Sequence, residues 1–331
     1  MHTPRRLTVL VLSALLLATS ASAAVATPPR PDPSHSAPTL LATGLSGGAG
    51  STIGPDGSLY VTEPRSGEVS RVDRRTGEIS TVVSGLPTQL PGTPGGAIDV
   101  AFLGRTAYVL VTIVEPAVVG LYRVDRSGGV TPVADIGAWS IANPPDTDFF
   151  VPSGVQYALE SYRGGFLVTD GHHNRVLRVT TRGEVTEVLA LGNVVPTGLE
   201  TVGRTVLLAQ AGPVPHLPED GRVVAFRPGS QDVREVASGG RLLVDVESGH
   251  GHLFALAQGT FTPGSPEGSP AAPDTGQLLE VGRHGDLRAV AVGLDRPTSV
   301  EIVGRTAYVV TLDGEVWTVR LGHGHGHSHG H

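Results

Sequence analysis

The hexapeptide Gly104-Arg105-Thr106-Ala107-Tyr108-Val109 returns letter for letter as Gly304-Arg305-Thr306-Ala307-Tyr308-Val309. A variant, Gly203-Arg204-Thr205-Val206-Leu207-Leu208, lies 99 residues after the first copy and 101 before the second. Recurrence at a fixed interval marks a repeat architecture. Runs of the same shape fill the gaps at Ser58-Leu59-Tyr60-Val61, Gly165-Phe166-Leu167-Val168 and His252-Leu253-Phe254-Ala255, so the chain holds six units of about fifty residues. Each unit resolves into four short strands. The third is clearest, at residues 69–73, 121–125, 176–180, 223–227, 278–282 and 316–320, most with apolar residues at alternate positions. A tight Gly-containing turn such as Thr181-Arg182-Gly183 follows in five units and leads to a fourth strand, for example residues 79–83 or 185–189. The sixth unit has no fourth strand, while Thr39-Leu40-Leu41-Ala42-Thr43 has strand character and no unit of its own. Lending that segment to the last sheet removes an exposed edge and closes a ring. The prediction is an all-β, six-bladed β-propeller over residues 39–321, closed by its N-terminal strand. An open solenoid would need no such exchange between the two ends.

Composition agrees. Of 331 residues, 45 are Gly and 26 Pro, while only 17% are charged, which suits many short strands joined by turns and disfavours a helical bundle. Without cysteine there is no disulfide, thiolate metal site or cysteine nucleophile, and without lysine no Schiff base or phosphate-loop lysine. The net charge of −7, with basic residues in isolated pairs at most, argues against nucleic acid as a partner. Residues 1–23 read as an export signal: Arg5-Arg6, an apolar stretch from Leu7 to Ala18, and Ala21-Ser22-Ala23 as the cleavage site. Nothing later resembles a transmembrane helix, so a secreted, monomeric protein is expected. Residues 24–38 are Pro/Ser-rich and read as a linker. Residues 322–331 form a Gly/His tail in which His323, His325, His327, His329 and His331 alternate with other residues, a spacing suited to wrapping Zn, Ni or Cu.

Two sets of residues are candidates for function. In the first strands an apolar residue is followed by a polar one at Asp99, Gln156, Glu200, Asp245 and Glu301, with Thr52 as the sixth member. First strands line a propeller's channel, so these side chains are expected either to satisfy one another and channel water or to ring a hard cation such as Ca. The long connections at residues 84–96, 134–153, 210–221 and 258–276 should gather on one face at the channel mouth. That mouth offers Glu63, Asp170, His172, His173, Asn174 and His216, residue types that hold a metal or move protons. No phosphate loop or dinucleotide fingerprint occurs.

The run Phe166-Leu167-Val168-Thr169-Asp170-Gly171-His172-His173-Asn174-Arg175-Val176 resembles an NHL repeat. With Ala142-Asn143-Pro144-Pro145-Asp146 and Gly212-Pro213-Val214-Pro215-His216-Leu217-Pro218, the chain from about residue 39 onward resembles the ScyD/ScyE family of exported bacterial propellers. The family pattern follows its Asn-Pro with Asp-Gly and then Ser-Asn-Pro; here those positions read Pro145-Asp146 and Phe150-Val151-Pro152-Ser153. The resemblance implies the architecture and no catalytic residues. The expected function is a non-catalytic binding or scaffold propeller that uses its mouth face for a ligand or an extracellular protein. The alternative is a divalent-metal-dependent, lactonase-like hydrolase.

Overall fold

A computed structural model describes residues 36–213, 215–266 and 268–322. These belong to the compact unit Pro33–His331; the other unit, Met1–Asp32, lies outside them, as do the five tail histidines. Strand β1 (Thr39–Thr43) is followed by six repeats. Blade one is β2 (Ser51–Ile53), β3 (Leu59–Glu63), β4 (Glu68–Val72) and β5 (Ile79–Val83); blade two is β6 (Gly96–Leu103), β7 (Thr106–Thr112), β8 (Gly120–Val124) and β9 (Val130–Asp135). After the one helix among the described residues, α1 (Ile136–Ala142), blade three holds β10 (Gln156–Tyr162), β11 (Gly165–Asp170), β12 (Arg175–Thr180) and β13 (Val185–Ala190). Blade four is β14 (Pro196–Val202), β15 (Thr205–Gln210), β16 (Gly221–Phe226) and β17 (Arg234–Gly240). Blade five is β18 (Leu243–Gly249), β19 (His252–Ala257), β20 (Gly276–Val281) and β21 (Leu287–Leu294), and blade six β22 (Pro297–Val303), β23 (Thr306–Thr311) and β24 (Glu315–Arg320).

Every sheet has four antiparallel strands, and the sixth takes β1 as its outer strand in the order β1-β24-β23-β22. The pairing runs from Thr39 opposite Thr318 to Thr43 opposite Glu315, with an irregularity between Leu40 and Ala42. The molecule is thus a six-bladed β-propeller closed by its N-terminal strand. Alternation along the second and third strands puts apolar side chains on both faces of each sheet, and they interlock between blades: Leu110 and Leu121 of blade two meet Phe166, Val168 and Leu177 of blade three in one buried cluster. Helix α1 was not evident in the sequence. Asp135 caps its start by accepting the Ala138 N–H at 2.7 Å, and Ile136 and Ser140 are buried beneath it. No helix among the described residues is long and apolar enough to cross a membrane.

Because β1 covers the outer edge of β24, deleting residues 36–43 should expose that edge and lower the melting temperature of the whole ring by several degrees in one cooperative transition. Thermal unfolding followed by circular dichroism checks this; an unchanged melt would show that the ring does not depend on the closure.

Candidate functional site

The six first strands, β2, β6, β10, β14, β18 and β22, surround the channel. Its cavity, about 1030 Å³, runs from the mouth loops down to first-strand carboxylates. Hairpin register sorts the predicted polar residues into levels. A bulge interrupts five first strands, between Ala97 and Asp99, Gln156 and Leu159, Pro196 and Leu199, Leu243 and Asp245, and Pro297 and Ser299. Below it, Glu160, Glu200, Glu247 and Glu301 stand opposite Leu167, Leu207, Phe254 and Tyr308 and occupy one tier, with Ala101 and Thr52 completing it. Asp99 and Asp245 lie one tier higher, opposite Leu110 and Leu256, and Gln156 higher still, opposite Asp170. The single ring expected of Asp99, Gln156, Glu200, Asp245 and Glu301 is therefore corrected to three levels. All five strands carry the same bulge, so the offset lies in the sequence itself: the apolar-polar pair falls two residues farther from the hairpin turn at Asp99 and Asp245 than at Glu200 and Glu301, and farther still at Gln156.

In the upper carboxylate tier the blades alternate with a period of three: Gly50, Asp99 and Ala158, then Gly198, Asp245 and Ser299. A Cβ at Gly50 would collide with the Asp99 carboxylate, and one at Gly198 with that of Asp245. Asp99 accepts the N–H of Leu159 in the next blade at 2.7 Å and that of Val100 at 2.8 Å. Asp245 repeats this with Val300 at 2.8 Å and Val246 at 2.9 Å. In the lower tier Glu160 accepts the Thr201 hydroxyl at 2.6 Å and Glu200 that of Ser248, again across blades. All six carboxylates are half-buried, and burial raises them: Asp245 and Glu160 to about 7, and Asp99, Glu247 and Glu301 well above the carboxylate range, with the surrounding negative charges adding to the shift. Glu200 moves in the same direction, opposed by Ser248. Tyr157 reaches from blade three to blade six, opposite in the ring, and donates its hydroxyl to the Thr298 carbonyl at 3.2 Å. Among the described residues, no three of His, Cys, Asp and Glu come close enough together to hold a metal ion.

Most mouth candidates are structural supports. Asp170 is fully buried; it accepts the Val155 N–H at 3.1 Å and the Arg175 Nε–H at 3.3 Å, and lies 3.1 Å from His173 Nδ1. Arg175, also buried, donates to the Asn143 carbonyl at 2.8 Å, to Ser140 Oγ at 3.0 Å and to His173 Nδ1 at 2.9 Å, and stacks over Trp139 at 4.9 Å. His173 Nε2 lies 3.0 Å from the Val151 carbonyl, which ties the ring to the same loop. His172 Nε2 instead accepts the N–H groups of Phe150 and Val151 at 2.9 and 3.0 Å. Asn174, at φ 52°, donates to Thr147 at 3.4 Å. Together these residues clamp residues 143–155 onto blade three. Glu63 does the equivalent in blade one, where its buried carboxylate accepts the Ser46 N–H. His216 differs: it lines the cavity, and its Nδ1–H is shared between the carbonyls of Ala211 at 3.2 Å and Gly212 at 3.0 Å. Glu160, Glu247, Tyr157 and Arg175 were missed in the sequence reading.

No protein-family model matches the sequence, and no curated protein matches it. Solved structures do resemble the fold. A gluconolactonase from Xanthomonas campestris superposes with a TM-score of 0.61 at 12% identity, over 86% of this chain and 89% of its own. Virginiamycin B lyase from Staphylococcus aureus gives 0.52 at 13%, over 86% and 98%. The PQQ-bound aldose sugar dehydrogenase from Streptomyces coelicolor gives 0.54 at 14%, over 87% and 99%. At such identities the likeness is one of fold.

Arg175→Ala would leave Asp170 buried without its guanidinium, and breaking a buried pair in this way costs about 3–5 kcal/mol. A lower denaturant midpoint is expected, with new cleavage within residues 143–155 by a protease that cuts beside large apolar residues. A variant with wild-type stability and protection would contradict the clamp.

Proposed function

We propose that the protein is an exported binding propeller that takes a small, uncharged, largely apolar ligand into the mouth of its channel. The observation that carries this reading is the character of the mouth. Ile113, Phe150, Val195, Pro213 and Leu312 supply apolar walls, and Asn193 supplies hydrogen-bonding groups. A concave apolar site with a few polar groups is the usual form of a small-molecule pocket. The acids and histidines nearest the rim are engaged in holding loops, which leaves binding as the better use of the remaining surface. Both stretches that resemble the ScyD/ScyE family fall at this face, one meeting the Arg175 clamp and the other carrying His216.

Phe150 is 69% exposed, so its replacement should alter binding without disturbing the core. A neutral fluorophore, N-phenyl-1-naphthylamine, should bind the folded protein saturably at one site, and Phe150→Arg should weaken it about tenfold or more with an unchanged melting temperature. Absence of saturable binding would refute the reading.

The hydrolase alternative rests on the carboxylates Asp99, Glu160, Asp245, Glu247 and Glu301 lining the same cavity. As placed, they do not converge on a metal position, and no catalytic step is assigned to them. That alternative requires calcium to raise the melting temperature of chelator-treated protein, and Glu247→Gln with Glu301→Gln to abolish the rise. The binding reading expects neither effect.

A further inference from the structure

Among the described residues the channel carries six carboxylates and no counter-charge at their level. The first strands contribute Asp99, Glu160, Glu200, Asp245, Glu247 and Glu301, and neither arginine nor histidine. Tyr157 and Tyr162 are the other titratable groups on these strands, and burial raises the Tyr157 hydroxyl too. The partners across each hairpin add no cation: Leu110 and Leu256 in the upper tier, Leu167, Leu207, Phe254 and Tyr308 in the lower. Charged or basic groups in the same cavity sit at the mouth, where Arg65 pairs with Asp313 at 3.4 Å and His172 and His216 are held by backbone bonds. Four of the carboxylates, Asp99, Glu160, Glu200 and Asp245, bridge successive blades from two to six.

We propose that these carboxylates make the closed ring proton-dependent, so that the propeller loosens as the pH rises past neutrality toward about 9. Six negative charges facing one another across a narrow channel repel, and the ring that would have to widen to separate them is the one their hydrogen bonds hold together. The sign follows from linkage. Carboxyl groups whose folded affinity for protons exceeds the unfolded one contribute stability that is complete below the unfolded value of about 4 and is lost as pH rises through the folded values. For Asp245 and Glu160 that loss begins near 4 and is complete at about 7, while Asp99, Glu247 and Glu301, raised well above their ordinary values by burial and by the neighbouring carboxylates, carry it on as the pH rises. The chain has no lysine and no cysteine, so neither residue type adds a titration as the pH rises from neutral.

The test is the melting temperature of chelator-treated protein at low salt between about pH 7 and 9. Wild type should lose several degrees across that range. Glu247→Gln with Glu301→Gln, which removes two charges and none of the inter-blade hydrogen bonds named above, should flatten the slope and raise the melting temperature at the alkaline end. A wild-type melt that is level or rises with pH would overturn the proposal, as would an undiminished slope in the variant. Infrared absorption of protonated carboxyl groups in the wild type at neutral pH provides a readout that needs no variant. Its presence supports the proposal and its absence defeats it.

Discussion

A short antiparallel pairing between Thr39–Thr43 and Glu315–Arg320 holds the two ends of the ring together. Each blade alone is a four-stranded sheet with apolar side chains on both faces, and neither face is covered until a neighbour packs against it. Closing the circle covers the last two faces. It also fixes the first strands around a common axis, where Gly50 donates its N–H to the Ile98 carbonyl at 2.7 Å and Ser51 meets Ser299 at 2.7 Å across the junction of blades six and one. The channel, its mouth and the levels within it follow from this closure.

Within the ring, polar side chains serve two ends. At the mouth Asp170, Arg175 and His173 are spent on holding a long loop, an arrangement that gives each buried polar group a partner. Deeper in, the carboxylates accept bonds from one side and face the channel on the other, so their charge is only partly compensated. Tyr157 crosses between these regions. The upper part of the cavity is suited to recognition, while the lower part stores electrostatic work that protonation relieves.

The architecture was legible because the hairpin motif around residues 104–109 recurs and because β1 has strand character without a blade. Strand periodicity alone sufficed there. The levels of the channel were less accessible: the apolar-polar pairs at Asp99 and Asp245 lie two residues farther from their hairpin turns than those at Glu200 and Glu301, and only counting back from each turn, at Arg163-Gly164 or Gly203-Arg204, aligns Glu160 and Glu247 with the latter. The mouth was harder still. His172, His173 and Asp170 have the composition of a reactive cluster, but their burial depends on Trp139 and Ser140 of α1, and a seven-residue helix leaves little periodic signal.

Strand β1 is synthesised before any blade, and its partner β24 after all the others. Made from N-terminus to C-terminus, the chain must keep β1 unpaired while six sheets assemble, because its hydrogen-bonding edge appears only with the final strand. Local hairpins within the blades form between near neighbours, but this one contact spans most of the sequence and carries the loop-closure entropy of the whole domain. The growing protein therefore passes through open arcs with an exposed sheet at either end, species that invite pairing with other chains. Order of synthesis and order of assembly are thus opposed at a single strand, and the interval between the first and last steps sets how long the unfinished ring remains sticky.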